Sequence, residues 1–111
     1  MIQEKQYELI NTLNHCAAAC SHCASACLEE KDIKMMTKCI SLDLDCAEIC
    51  RLVAALVSRD SEHASHLMHE CAEICEVCAA ECEKHSHMEH CRACAEACRH
   101  CAEVCSQLTV A

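Results

Sequence analysis

The chain has 111 residues, a formal charge of −9 and sixteen cysteines, and it contains no Gly, Pro, Trp or Phe. Tight turns between strands need Gly or Pro, so this composition excludes most sheet-rich folds and favours helices. An acidic chain with one aromatic residue is a poor nucleic-acid binder, and no run of about 20 apolar residues is available to span a membrane.

The first fifteen residues mix charged and polar side chains where a signal peptide would need an apolar run. We therefore expect a cytoplasmic protein. Thiols are kept reduced in that compartment, so many cysteines there indicate metal binding before disulfide bonding.

The first predicted helix covers residues 3–29. Its cysteines are separated by steps of four, three and four residues, which is the spacing of side chains that share one helix face. They are Cys16, Cys20, Cys23 and Cys27. Counting back along the same face reaches Leu13, Leu9 and Ile2. The pattern predicts a buried stripe that is aliphatic first and lined with thiols afterwards.

The second predicted helix covers residues 33–58, with Asp32 as its N-cap. It contributes three cysteines to the same kind of stripe, namely Cys39, Cys46 and Cys50. Met36 precedes them in phase, and Val53 and Val57 continue the stripe beyond them.

Asp43 stands where this stripe would otherwise carry a fourth cysteine. One interpretation is a local rotation of the helix that turns Leu42 or Leu44 inward. The other is a buried carboxylate that accepts thiol protons or lies beside a metal ion. The sequence leaves both interpretations open.

The third and fourth predicted helices cover residues 61–84 and 87–108. Asp60 or Ser61 is predicted to cap the third, and a capping box from Ser86 to Glu89 is predicted to begin the fourth. Their cysteines repeat the three and four spacing, and they are Cys71, Cys75, Cys78, Cys82, Cys91, Cys94, Cys98, Cys101 and Cys105.

Short polar connections between four such helices predict an all-α, antiparallel up-down-up-down four-helix bundle with a cysteine-lined core. No linker is visible, so residues 1–111 are predicted to form a single domain. In this topology one end of the bundle is an apolar plug, formed by Leu13, Val53, Val57, Met68 and Leu108. The other end carries metal-binding side chains, namely Met36, His85 and His87.

A continuous column of thiols predicts storage of many soft metal ions. Soft thiolates select Cu(I), zinc and iron–sulfur clusters, whereas a structural zinc site needs only four ligands. The usual cysteine run of iron–sulfur proteins is absent, and packed helices hold most cysteines too far apart for unstrained disulfides.

Two other functions remain open on the residues alone. One is a thiol-based redox or peroxide-scavenging protein, and the other is a zinc-binding protein of the metallothionein type. No enzyme is expected, because the chain lacks a phosphate loop and the motifs of metalloproteases and hydrolases. A catalyst also needs one activated thiol, not a column of them.

The cysteine motifs closely resemble those of the copper storage proteins. The motifs are CAAACSHCASAC at 16–27, CAEICEVCAAEC at 71–82 and CRACAEACRHCAEVC at 91–105. The resemblance implies several Cu(I) ions held by thiolates inside each bundle, entry at an end bearing His and Met, and a homo-tetramer in the cytoplasm. It also implies an unidentified copper donor or acceptor. The predicted copper ligands are the sixteen cysteines together with His85, His87, Met36 and Asp43.

Overall fold

The computed structural model of the chain describes residues 3–108, which form four long α-helices joined by short connections. Helix α1 is Glu4–Cys27, α2 is Thr37–Ser58, α3 is Ala64–Glu83 and α4 is Glu89–Leu108. A single 3₁₀ turn, Ile33–Met36, leads into α2. Residues 3–108 contain no strand. Ile2 and the side chain of Leu108, both assigned to the buried stripe from the sequence, lie outside the described residues.

Each helix packs against two neighbours, so that α1 contacts α2 and α4, and α3 contacts the same two helices. Between α1 and α4 the sulfur pairs run in opposite directions along the chain, from Cys20 with Cys98 to Cys23 with Cys91. The pairs between α2 and α3 do the same. These helices are therefore antiparallel, and the predicted all-α four-helix bundle is confirmed. Its long axis measures 47 Å and its two short axes 20 and 19 Å.

The helices are shorter than the sequence pattern predicts. Residues 28–31 form a turn and bend after α1, and the four residues that precede α2 adopt a 3₁₀ turn. Asp32 makes no side-chain capping bond. The predicted capping box at Ser86 is also wrong, because residues 84–87 form a turn and α4 begins at Glu89. The chain thus reverses direction in short turns that contain neither Gly nor Pro.

The connection between α2 and α3 is built by the two residues that the sequence suggested as caps. Asp60 has a φ of 51°, in the left-handed region that Asp tolerates better than most residues. Its Oδ1 accepts a 2.6 Å hydrogen bond from Nε2 of Gln6, which ties this turn to the start of α1. Ser61 Oγ accepts a bond from the backbone N–H of His63, and α3 begins at Ala64 without a side-chain cap. These residues form the turn and do not cap α3.

The core of the bundle is lined mainly by sulfur, alanine and a few aliphatic side chains. All sixteen cysteines are fully buried, with 0% exposure. At the end where α1 and α3 begin, the core contains Leu9, Leu13, Val53, Val57 and Met68, all buried. Every described residue of the predicted plug is therefore buried at this end. None of the described helices is both long enough and apolar enough to pass through a membrane.

Candidate metal centre

All four helices contribute thiols to one interior column. Four cysteines come from α1, three from α2, four from α3 and five from α4, and all of them are free. The three and four spacing of the sequence explains this arrangement, because it keeps each helix turning the same face inward. Sequence reasoning therefore placed every thiol on the correct face.

The sulfur atoms contact one another between helices as well as along them. The closest pair is Cys20 and Cys98, with Sγ atoms 3.5 Å apart, and the Cys46–Cys75 and Cys39–Cys82 distances are 3.6 Å. A disulfide bond is about 2.0 Å long, so these pairs are neighbouring thiols. Such distances let one ion reach sulfurs from two or three helices.

Several groups of four thiols have all their sulfurs within 4.8 Å of one another. They include Cys16, Cys46, Cys50 and Cys75; Cys16, Cys20, Cys46 and Cys98; Cys20, Cys78, Cys94 and Cys98; and Cys50, Cys71, Cys75 and Cys101. Neighbouring groups share members: Cys16 and Cys46 belong to two of them, and so does Cys50. The column is therefore a series of overlapping ligand sets. Separate, closed single-ion sites would not share ligands in this way.

Asp43 is fully buried in this column and is surrounded by thiols. Its Oδ1 accepts hydrogen bonds from Sγ of Cys78 at 3.2 Å and Sγ of Cys94 at 3.3 Å. Cys82 lies 3.5 Å from the same oxygen, and Cys39 lies 3.8 Å from Oδ2. The interpretation of Asp43 as a buried carboxyl group beside thiols is thus correct.

The alternative rotation of α2 does not occur, because Leu44 is half exposed and Leu42 only partly buried. Burial raises the pKa of Asp43 to about 10, and the nearby thiols Cys94 and Cys78 add to this effect. The side chain is therefore a neutral acid at pH 7 in the copper-free protein.

Burial also raises the pKa of thiols at the outer end of the column. The pKa of Cys91 rises to about 11, mainly because the charged form loses its hydration, and that of Cys27 rises for the same reason. Metals bind the thiolate form, so an ion that binds here must displace protons.

The end opposite the plug has a half-open pocket of about 490 Å³. Met36, His85 and His87 all line it, together with Met35, Met88 and Glu30. Met36 and His85 are buried, whereas His87 is exposed. The three side chains predicted to meet at this end are therefore brought together around one pocket.

Within residues 3–108, none of these three side chains forms a hydrogen bond to a thiol. His85 instead places Nε2 3.2 Å from Oε2 of Glu81, which also pairs with Lys84 at 3.3 Å. No cysteine lines the pocket, although Met36 also belongs to the buried core that contains the thiols. The predicted ligands at this end thus stay candidates for an entry route.

The histidine that contacts the thiols is His90, which sequence reasoning did not assign as a ligand. Its Nδ1 lies 3.5 Å from Sγ of Cys91, 3.6 Å from Cys23 and 3.8 Å from Cys27. These four residues form a further group with ligand atoms within 4.8 Å of one another. His90 falls out of phase with the cysteines of α4. Its signals in the sequence were adjacency to Cys91 and a predicted place near Met36, His85 and His87. The remaining histidines are exposed as expected, namely His15, His22, His63, His66, His69 and His100.

The sequence profile of a family described as copper storage protein matches residues 2–110. The chain is similar to an uncharacterized cysteine-rich protein, YhjQ, from Bacillus subtilis (strain 168), with 45% identity over 82 residues, covering 74% of this chain and 75% of that protein.

Solved structures agree with this match. A cytosolic copper storage protein from Streptomyces lividans with five coppers has 41% identity and a TM-score of 0.92, covering 97% of this chain and 94% of that one. A Cu(I)-bound copper storage protein, BsCsp3, has 39% identity and a TM-score of 0.91, covering 96% of this chain and 100% of that one. The copper-free copper storage protein 3 from Bacillus subtilis has 40% identity and a TM-score of 0.88, covering 94% and 98%.

Proposed function

Since this chain belongs to the copper storage protein family, we propose that it stores Cu(I) ions on the thiolates of its core. The observation that carries this function is the column of sixteen buried, free thiols with overlapping groups of four sulfurs. Thiolate is a soft ligand that favours Cu(I) over hard cations. Two relatives have been solved with copper bound, one of them with five copper ions.

The sharing of thiols between groups supports many small Cu(I) sites over a few closed zinc sites. A structural zinc ion takes four ligands for itself in a tetrahedron. In this column Cys46 serves two groups of four, so separate zinc sites would compete for it. A sulfur that bridges two ions serves both without such competition. Zinc binding and thiol redox chemistry remain the alternatives that the titration below distinguishes.

The proposed storage ligands are the sixteen cysteines, with Asp43 as an oxygen ligand or hydrogen-bond acceptor inside the column. Asp43 Oδ1 lies within 3.5 Å of Cys78, Cys82 and Cys94. A carboxyl oxygen at this position is close enough to join a copper ion that those sulfurs hold. To bind copper, Asp43 either loses its proton or uses a lone pair of the neutral carboxyl group.

The proposed entry route passes the pocket lined by Met36, His85 and His87. The opposite end of the bundle is filled by buried aliphatic side chains such as Leu13 and Val53. Thioether sulfur and neutral imidazole are weaker ligands for Cu(I) than thiolate, so they can pass an ion inward. Glu30 lines this pocket and contacts His90, so the group formed by His90 with Cys23, Cys27 and Cys91 adjoins the proposed route.

The wider setting is also a proposal. The Streptomyces lividans relative is described as cytosolic, and we propose the same location for this chain. We also propose a homo-tetramer and an unidentified protein that donates or accepts copper. The protein acts by binding and releasing ions, with no catalytic step of its own.

The test is a titration of fully reduced protein with Cu(I) in competition with a chelator, followed by free-thiol counting. Storage predicts that copper masks nearly all thiols, with many ions per chain. Saturation at one or two ions would contradict storage. Masking by zinc alone would support the metallothionein alternative, and rapid thiol loss under mild oxidant without metal would support the redox alternative.

A further inference from the structure

The ring of His90 is held on both sides by groups from different parts of the chain. Its Nδ1 faces the sulfurs of Cys23, Cys27 and Cys91 at 3.5 to 3.8 Å. Its Nε2 lies 3.1 Å from Oε2 of Glu30, in the connection that follows α1. His90 stands in the first turn of α4, so this contact joins two elements that are 60 residues apart.

The carboxylate partner decides which ring nitrogen of His90 carries the hydrogen. A carboxylate accepts hydrogen bonds and donates none, so Nε2 must be the donor in this pair. A neutral imidazole has only one N–H, and Nδ1 is then left with a free lone pair. That lone pair points at the three thiols.

We propose that Glu30 is a positioning residue for copper uptake, which fixes the Nε2–H form of His90 and aims Nδ1 at Cys23, Cys27 and Cys91 of the column. This role rests on the proposed storage function. An ion arriving from the end pocket then meets one nitrogen and three sulfurs already in place. Metal-binding histidines commonly have their second nitrogen held by a carboxylate, which orients the ring and increases its basicity.

The surroundings of Glu30 distinguish this role from a surface ion pair. Its side chain is 34% exposed and that of His90 only 14%, so the pair lies at the border between solvent and the thiol column. Glu29, the preceding residue, has the same charge but is exposed and makes no side-chain contact with His90. Because Glu29 also lines the end pocket, it is a matched control for the loss of one carboxylate there.

A second carboxylate–histidine pair at this end does not contact the thiols. His85 contacts Glu81 at 3.2 Å, and both residues belong to the region of α3 and the turn after it. Within residues 3–108, the hydrogen bonds of the His85 ring include none to a thiol. Among the residues that the structure describes, only the Glu30–His90 pair connects a carboxylate to the sulfur column through an imidazole.

The first experiment tests the tautomer without any copper. Reduced, copper-free protein labelled with ¹⁵N in its histidines is examined by NMR at about pH 8, above the ordinary imidazole pKa of about 6.5. We expect His90 to be in the Nε2–H form alone in the parent and in Glu29→Ala. Glu30→Ala is expected to show both forms. A single Nε2–H form in Glu30→Ala would overturn the proposal.

The second experiment measures Cu(I) uptake from a Cu(I)–chelator complex by stopped flow. Loss of an outer carboxylate partner typically costs 10–100-fold in metal affinity or activity, so Glu30→Ala should load on the order of ten times more slowly than Glu29→Ala. Its final capacity should be unchanged, because all sixteen thiols remain. Equal rates in the two variants would overturn the proposal. Failure of the parent to take up copper would instead contradict storage, while the NMR result would still decide the tautomer.

Discussion

Sγ of Cys78 lies 3.2 Å from Oδ1 of Asp43, which is closer than any sulfur–sulfur contact in the described column. Oxygen is smaller than sulfur, which accounts for the shorter distance, and thiol sulfur is only a weak acceptor, so the carboxyl oxygen is the stronger hydrogen-bond acceptor for these thiols. Because the side chain is fully buried, the contact is made by a neutral acid whose pKa is raised to about 10.

The buried Asp43 predicts that the copper-free protein loses stability as pH rises. Unfolded Asp ionises at its ordinary pKa of 3.8, whereas folded Asp43 keeps its proton up to about pH 10. Between these values the unfolded state binds fewer protons, so the free energy of unfolding decreases with pH. Asp43→Asn removes the ionisable group and should raise stability at pH 8 by at least about 1 kcal/mol, or roughly 4–8 °C in Tm.

Thermal unfolding of reduced, copper-free protein from pH 5 to pH 9 measures this effect. Asp45→Asn is the matched control, because Asp45 lies on the same helix but is exposed. A parent protein whose Tm falls with pH no more than that of Asp43→Asn would contradict a buried neutral acid.

The capacity for copper is expected to be on the order of one Cu(I) per thiol. Each sulfur in the overlapping groups can bridge two ions, and each ion needs about two sulfurs. Replacing Cys46 by Ala should remove more than one ion, because Cys46 belongs to two groups of four. Replacing Cys105, at the far end of α4, should remove fewer ions. Chelator competition measures both, and equal losses in the two variants would argue against shared ligands.

The copper-free protein is expected to remain a helical bundle. Zinc fingers unfold when their metal is removed because they have little other core. Here buried Leu9, Leu13, Val53 and Met68 supplement the thiols, and residues 4–27 alone form a continuous helix. Far-UV circular dichroism should therefore be similar with and without copper. A random-coil spectrum for reduced, copper-free protein would show that the metal is needed for folding.

The entry route predicts slower loading when its side chains become aliphatic. Replacing Met36, His85 and His87 together by Leu should slow both uptake and removal of Cu(I), while total capacity falls little because the thiols remain. Stopped-flow uptake from a Cu(I)–chelator complex measures the rate.

The control for this prediction is at the opposite end of the bundle. Leu13→Ala should cost about 2–5 kcal/mol in stability, because Leu13 is fully buried, but it should leave loading no slower. If the triple replacement loads as fast as the parent and Leu13→Ala abolishes uptake, ions enter at the plug.

The sequence predicted the cysteine faces well and the ends of the helices poorly. Cysteines three and four residues apart have only one helical phase that buries them all, so the fold class and the core followed from spacing. The turns did not, because Asp60 and Ser61 look like caps but form the reversal itself. Local sequence alone does not show that Gln6, more than 50 residues away, holds that turn.

The residues of the metal site that follow the helical periodicity were predictable from the sequence. Those that depend on the segments between helices were not. Asp43 shares the phase of the cysteines, so its burial could be anticipated. His90 lies one position away from that phase, and its contacts arise because the first turn of α4 packs beside Cys23 and Cys27. Its partner Glu30 belongs to an irregular segment, which has no repeating spacing from which the direction of a side chain could be predicted.

The core of this protein is also the place where its cargo goes. Since the same sulfur atoms fill the interior of the empty bundle and would hold the stored ions, every ion that binds adds to the free energy that separates the folded from the unfolded chain. A full molecule should therefore resist proteases longer than an empty one of identical shape. The cellular lifetime of each molecule would then depend on how much metal it carries, so that proteases degrade copper-free molecules and spare copper-loaded ones.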